Sequence, residues 1–166
     1  MSTKRLTLSA FFMALVIILS SSILSIPVPG GHFYFNGIII CLVGLIFPPG
    51  EAVIIAGLGS FLGDCFFYPA PMFVTLLTHS LQVLVISVIV HRKNVNKLSL
   101  ISALVLGGIV DMIGYFIGRS YIYATMDMAI LKLPFDAVAI ILAIAIAYYI
   151  YYYTGFLKAF HKTLGE

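Results

Sequence analysis

Residues 72–90 read MFVTLLTHSLQVLVISVIV, a stretch without Lys, Arg, Asp or Glu. A helix of about 20 apolar residues spans the hydrocarbon core of a bilayer, so this stretch predicts a membrane-spanning helix. The chain has 166 residues, of which 62% are hydrophobic and 9% are charged. A soluble domain carries about 25% charged residues. Lipid is therefore the expected solvent, and one transmembrane domain over residues 1–166 is predicted.

Five further apolar runs accompany this stretch and are separated from one another by turn residues or polar segments. Together the six runs predict an all-α integral membrane protein, a bundle of six transmembrane helices. The second run is short, so it is tilted, begins inside the preceding loop, or is re-entrant. The first run is longer than the apolar region of about 7–15 residues in a signal peptide, which predicts an uncleaved first helix. The five runs are Leu6–Ile26, Phe33–Phe47, Ala52–Tyr68, Leu98–Ile117 and Leu133–Tyr153.

The placement of Lys and Arg predicts the orientation. With six crossings, seven of the nine basic residues fall on one side of the membrane and two on the other. Cytoplasmic loops carry the excess of Lys and Arg, so the N- and C-termini are predicted to be cytoplasmic in a multi-pass membrane protein. Two spans plus a re-entrant pair before residue 91 also fit. Nucleic-acid binding is not expected, since no basic stripe is interleaved with aromatic residues.

Polar side chains lie at the same outer depth in three of the predicted helices. Ionisable groups within a membrane are costly and usually face a cavity or a partner. The pattern therefore predicts a pocket that offers both hydrogen-bond donors and acceptors to a solute. A structural histidine and a helical ion pair between residues 132 and 136 are the alternatives. The predicted pocket residues are His79, Gln82, Asp111, Tyr115, Lys132 and Asp136.

Small residues four apart predict close helix packing. Ala10 and Ala14 lie on one face of the first helix, in its predicted cytoplasmic half. Such a pair lets a second helix approach closely in lipid, which indicates a docking face for a partner or, alternatively, an intramolecular contact. For Gly59 with Gly63, Gly114 with Gly118, and the 139–143–147 alanine stripe, packing within a monomeric bundle is favoured.

Several sequence motifs of enzymes and nucleotide-binding proteins are missing. There is no glycine-rich loop ending in Lys-Ser or Lys-Thr, so the chain is not expected to bind ATP phosphates itself. A metal-binding His-Glu-x-x-His pair and a Gly-x-Ser-x-Gly elbow are also missing. The sequence therefore predicts no catalytic residue, no metal site and no cofactor in this chain.

The ordered set of short motifs resembles the S components, which are the substrate-binding subunits of energy-coupling factor (ECF) vitamin transporters. The resemblance covers most of the chain. It lies in Ala10-x-x-x-Ala14, residues 32–37 (HFYFNG), residues 47–52 (FPPGEA), residues 56–64 (AGLGSFLGD) and residues 70–75 (APMFVT), which lead to His79.

This resemblance implies a six-helix protein that binds a vitamin near the outer face with high affinity. It implies that Ala10 and Ala14 dock on a transmembrane T component, which joins two cytoplasmic ATPases that hydrolyse ATP. It also implies that the first outer loop, Pro27–Asn36, acts as a lid, so Phe35 and Asn36 are added to the predicted substrate contacts.

The residues suggest a small ring with nitrogens and hydroxyls, for which hydroxymethylpyrimidine or a pyridoxine-like vitamer is the first hypothesis. Pantothenate is the second, since Arg119 or Lys132 could meet a carboxylate. Two other classes of function are alternatives to solute binding. One is a membrane enzyme acting on lipid, with His79 and Asp111 as an acid–base pair. The other is an assembly subunit without a ligand, motivated by the small-residue faces.

Overall fold

The structure is a computed structural model that describes residues 2–21 and 24–164. Helices dominate, and a short two-stranded hairpin follows the first of them. Two five-residue π-helical segments, π1 and π2, interrupt or extend longer helices. The elements in chain order are α1 (Thr3–Leu19), β1 (Ile26–Val28), β2 (Gly31–Phe33), α2 (Asn36–Ile46), α3 (Pro49–Val53), π1 (Ile54–Leu58), α4 (Gly59–Phe67), α5 (Met72–Val90), α6 (Lys97–Gly118), π2 (Arg119–Tyr123), α7 (Met126–Tyr153) and α8 (Phe156–Leu164).

Four helical segments in the described part of the chain are long and apolar enough to cross a membrane. They are Pro49–Phe67, Met72–Val90, Lys97–Tyr123 and Met126–Tyr153. The second predicted run is realised as the shorter apolar helix α2, which begins at Asn36 and has 11 residues. Helix α1 has 17 residues. The multi-pass character of the protein follows from these helices, while six crossings and cytoplasmic termini stay predictions.

The all-α prediction is wrong in one place, because β1 and β2 form an antiparallel hairpin. The predicted first helix, Leu6–Ile26, ends at Leu19 instead, and its residues 22 and 23 lie outside the described residues. Pro29 followed by Gly30, whose φ is 81°, occupies the two-residue turn of the hairpin. Proline followed by a glycine with positive φ is typical of a type II turn, which reverses the chain here.

Most of the segment that separates the predicted runs Leu98–Ile117 and Leu133–Tyr153 is helical. Helix α6 continues into π2, and α7 begins at Met126 rather than at residue 133. The side chain of Thr125 caps α7 by accepting a hydrogen bond from the backbone N–H of Met128, at 3.4 Å. A capped first turn stabilises this earlier helix start.

The small residues pack the bundle against itself. A side chain on Gly59 would meet Val16 and Met13 of α1, and one on Gly63 would meet Ser20. Gly114 and Gly118 of α6 leave no space for a side chain against Thr78 and Val74 of α5. These contacts confirm that both glycine pairs serve packing within the chain, where small residues let backbones approach.

Helix α8 closes one end of the bundle through an aromatic cluster. The ring of Phe160 lies 5.4 Å from the ring of Phe47, and the Phe47 ring lies 5.5 Å from that of Phe12. All three rings are buried and meet edge to face, an arrangement that adds about 0.5–1.5 kcal/mol per pair beyond the burial of area. The cluster places the beginning of α1 and the end of the chain at the same end of the bundle.

Candidate functional site

A cavity of about 360 Å³ lies between the hairpin and the helices α2, α4, α5, α6 and α7. We call it the polar cavity. Three aspartates, one arginine, one lysine and two histidines are part of its wall. Seven of the eight predicted substrate contacts line it together: Asn36, His79, Gln82, Asp111, Tyr115, Lys132 and Asp136.

His79 and Tyr115 form the centre of a buried network between α5 and α6. The Tyr115 hydroxyl lies 2.9 Å from Oγ1 of Thr75 and 3.1 Å from Nε2 of His79. On the other side of the ring, Nδ1 of His79 lies 2.8 Å from Oε1 of Gln82 and 3.2 Å from Oδ1 of Asp111. Because Nδ1 faces two oxygens, it carries the proton and acts as a donor.

Asp111 differs from its neighbours in having an unused acceptor. Its Oδ1 atom is buried and receives no hydrogen bond from the residues that the structure describes, since the shorter contact of His79 Nδ1 is to Gln82. A buried polar atom without a partner is costly, and native structures hold few of them. The Asp111 side chain is still 15% exposed, so its carboxylate presents an acceptor in the cavity wall beside this buried atom.

Asp136 is already saturated by two cations. Its Oδ2 atom accepts a hydrogen bond from Nη1 of Arg119 at 2.8 Å, and its Oδ1 atom accepts one from Nζ of Lys132. Both basic residues are buried, Arg119 at 7% and Lys132 at 5% exposure. The ion pair between residues 132 and 136, one of the two alternatives for these positions, is therefore present. Arg119 forms a second ion pair with Asp136. Arg119 thereby links π2 to α7.

The hairpin covers Lys132. A side chain on Gly30 would lie 3.0 Å from Cβ of Lys132 and 3.0 Å from the carbonyl oxygen of Met128. A side chain on Gly31 would lie 3.2 Å from Cε of Lys132. The glycines thus let the turn rest directly on the aliphatic part of Lys132, which explains how a lysine is buried at the edge of the cavity.

The two predicted contacts from residues 32–37 differ. Asn36 lines the cavity and donates a hydrogen bond from Nδ2 to Oγ of Ser20, at 2.9 Å. Phe35 is 37% exposed and does not belong to the described cavity wall, and its ring lies 5.5 Å from that of Phe33. A direct solute contact by Phe35 is therefore not part of this geometry.

Comparison with known proteins identifies the family. The family model described as "ECF-type riboflavin transporter, S component" matches residues 1–154. The chain belongs to this S component family. The membership makes it a transport subunit in the membrane and not an enzyme, which confirms the resemblance seen in the sequence. No curated protein sequence matches the chain.

The fold of an S component is confirmed by a solved structure, described as that of the S component of a bacterial ECF transporter. The two chains share 20% sequence identity, and the alignment covers 98% of each with a TM-score of 0.74. At this level of identity the likeness concerns the fold, so the residues of the polar cavity must be interpreted from this chain itself.

Ala10 and Ala14 lie on the exposed side of α1 in this S component. Phe11 and Ile18 flank them and are 54% and 52% exposed. We call these four residues the α1 face. The opposite side of α1 is buried, so the alanines are not used for packing within the chain.

Several residues of the S component's cavity wall are not among the predicted contacts. Tyr34, Tyr68, Tyr123 and Asp64 all line the cavity. Burial, and then the nearby Asp64 and Tyr68, raise the pKa of Tyr34 to about 12. Tyr34 therefore keeps its hydroxyl proton at neutral pH. Met112 and Met128 also belong to the wall, and their apolar side chains resemble any lipid-facing residue in the sequence.

Proposed function

We propose that this chain is the high-affinity substrate-binding subunit of an ECF-type, ATP-driven vitamin importer. The polar cavity is the observation that carries the proposal, because it lies between five helices and a hairpin and is lined by donors and acceptors. A concave site with a few convergent polar groups is the usual form of a small-molecule site. Membership of the S component family supplies the context of transport.

The proposed ligand is a single heteroaromatic ring with nitrogens and hydroxyls, such as hydroxymethylpyrimidine or a pyridoxine-like vitamer. Small-molecule cavities range from about 300 to 1,000 Å³, and this one lies near the lower end at about 360 Å³. Tyr34, Tyr115 and Tyr123 offer aromatic faces and hydroxyls to such a ring. Riboflavin, named in the family description, is a larger alternative, and pantothenate is the alternative that carries a carboxylate.

The proposed partners are a transmembrane T component and two ATPases that hydrolyse ATP. The exposed α1 face supports this proposal. Ala10 and Ala14 leave a shallow strip between larger side chains, which a helix of a partner can approach closely. This strip is apolar, whereas the cavity is polar. Docking on a partner and binding of the solute are therefore separable functions.

The proposed topology has six crossings with both termini in the cytoplasm. The aromatic cluster supports a common side for the termini, since α8 packs against Phe12 of α1. Lys97, at the end of the basic loop, lies with its Nζ 5.4 Å from the ring centre of Tyr152, near the end of α7. Three basic segments thus share one end of the bundle, as the positive-inside pattern requires.

A binding experiment on the detergent-purified chain tests the proposed function. Pyridoxine, hydroxymethylpyrimidine, pantothenate and riboflavin are titrated by calorimetry and screened for thermal stabilisation. One of them should bind tightly and raise the melting temperature, because a ligand at 100 times its Kd stabilises the folded state by about 2.7 kcal/mol. A folded protein that binds none of the four would contradict the proposal.

A further inference from the structure

We propose that the polar cavity selects a dipolar heteroaromatic ligand, with a ring N–H donated to Asp111 at one end and an anionic ring oxygen held by Lys132 at the other. This inference rests on the proposed function and specifies its substrate class. The ligand class is a 3-hydroxypyridine in its zwitterionic form, in which the ring nitrogen is protonated and the ring oxygen has lost its proton.

The Asp111 end of the cavity requires a donor. Oδ1 of Asp111 is buried without a hydrogen bond, and Nδ1 of His79 is the protein donor beside it, at 3.2 Å. That N–H is directed to Gln82 at the shorter distance of 2.8 Å. The part of the Asp111 side chain that stays exposed, 15%, lines the cavity, and a protonated ring nitrogen there would give its carboxylate a charge-assisted hydrogen bond, which is the stronger kind.

The Asp136 end of the cavity requires an acceptor. Arg119 and Lys132 both contact the single carboxylate of Asp136, which leaves one formal positive charge in excess. All three groups are largely buried, so water and salt screen this charge poorly. An anionic oxygen on the ligand would neutralise it, and Nζ of Lys132 retains hydrogens to donate after its bond to Asp136.

The two ends line one cavity. Asp111 belongs to α6 and Lys132 to α7, and both are part of the cavity wall together with Tyr115. We expect one ring that carries a nitrogen and an oxygen on different edges to contact both ends.

Charge complementarity then decides among the ligand classes. A simple carboxylate would meet Lys132 favourably but would face Asp64 and Asp111 elsewhere in the cavity. A simple cation would meet Asp111 favourably but would face the excess positive charge at the other end. A zwitterion meets each end with the opposite sign. It is therefore preferred, because like charges at short range between buried groups repel strongly.

The experiment compares pyridoxine with 3-deoxypyridoxine, which lacks the ring oxygen, by calorimetry on the purified full chain. Variants Asp111→Asn and Lys132→Met are set against Asp127→Asn and Lys93→Met, which change exposed residues outside the cavity. Each cavity variant should weaken pyridoxine binding by about ten- to a hundredfold, as expected for a charge-assisted hydrogen bond, and the controls should not. The near-ultraviolet spectrum of bound pyridoxine should show the zwitterion.

Removing the ring oxygen should weaken binding to the wild-type chain about tenfold or more but have little further effect in Lys132→Met, since both changes delete the same contact. The ligand comparison on the wild-type chain stands even where a variant fails to fold. Three results would overturn the inference and leave the proposed function intact. They are equal binding of the two ligands, pyridoxine binding that neither variant weakens, and tight binding of riboflavin or pantothenate in place of pyridoxine. Failure of all four vitamins to bind would instead remove the proposed function.

Discussion

The polar cavity and the α1 face differ in the side chains that they contain, charged in the cavity and uncharged on the face. The cavity wall includes three aspartates and two buried cations, whose positions are fixed by hydrogen bonds between helices. The α1 face contains two alanines, a phenylalanine and an isoleucine without a charge among them. Recognition of a solute depends on matched donors and acceptors, whereas helix association in lipid depends on close approach. Substitutions in the two regions should therefore have different consequences.

The largest expected effect is at the α1 face. Ala14→Leu should abolish vitamin uptake in cells that contain the partner subunits, while the Kd of the purified chain for its vitamin stays within about twofold. The added side chain fills the strip that a partner helix must approach, and it touches no residue of the cavity wall. Uptake of the vitamin and calorimetric binding are the two measurements.

Ala145→Leu is the matched control, because Ala145 is an exposed alanine on another membrane helix, α7. It should leave uptake unchanged. Normal uptake by Ala14→Leu would show that the α1 face is not the docking surface, and loss of both uptake and binding would indicate a folding defect.

The next effect concerns the ion cluster at the Asp136 end of the cavity. Asp136→Asn should lower the free energy of unfolding by about 3–5 kcal/mol, because Arg119 and Lys132 would remain buried without their anion. Thermal unfolding in detergent measures the loss. Asp127→Asn, an exposed acidic residue in the first turn of α7, is the control and should shift the melting temperature little. Equal shifts for the two variants would mean that the cluster is not structural.

A smaller effect is expected in the hairpin. Gly30→Ala should weaken vitamin binding by about three- to tenfold, since alanine is strained at a φ of 81° and its Cβ would press on Lys132. Gly50→Ala is the control, because a Cβ at Gly50 would have no neighbour within 4 Å. Calorimetry distinguishes the two, and unchanged binding in Gly30→Ala would show that the hairpin does not need its present contact with Lys132.

The smallest effect is a pH dependence of stability at Tyr34. The pKa of Tyr34 is raised from 10.0 to about 12 in the folded chain, so its contribution to stability is complete below pH 10 and is lost between pH 10 and 12. The unfolded chain releases this proton first, which favours unfolding as the pH rises. Tyr34→Phe should therefore lose less stability than the wild-type chain over that interval, measured by thermal unfolding at each pH. Parallel curves would contradict the shift.

Much of the helical framework could be predicted because membrane helices leave a strong pattern in the sequence. The run at residues 72–90 coincides with α5, and residues three or four apart, such as His79 and Gln82, share a helical face in any helix. The same reasoning brought most predicted pocket residues to one cavity. These features depend on local geometry and on composition, both of which can be read along the chain.

The remaining features depend on contacts between distant residues. The partner of Arg119 is Asp136 of another helix, which spacing along one helix cannot show. Phe35 neighbours Asn36 in sequence, yet only Asn36 reaches the cavity wall, because the hairpin sets the direction of the chain there. The start of α7 at Met126 was missed because Asp127 and Lys132 interrupt its first apolar residues and because Pro134, inside the helix, resembles a break.

The hairpin turn rests on the methylene groups of Lys132, and this contact affects how fast a bound solute dissociates. A bound solute touching the Lys132 ammonium cannot leave past this edge until the Gly30–Gly31 turn lifts from the side chain. We expect the solute to leave past this edge, so that its escape requires the hairpin to open. Differences in affinity among related complexes arise mostly in the dissociation rate. The residence time of the vitamin should therefore depend on how fast the six paired residues of the hairpin open, and not on the association rate of the vitamin.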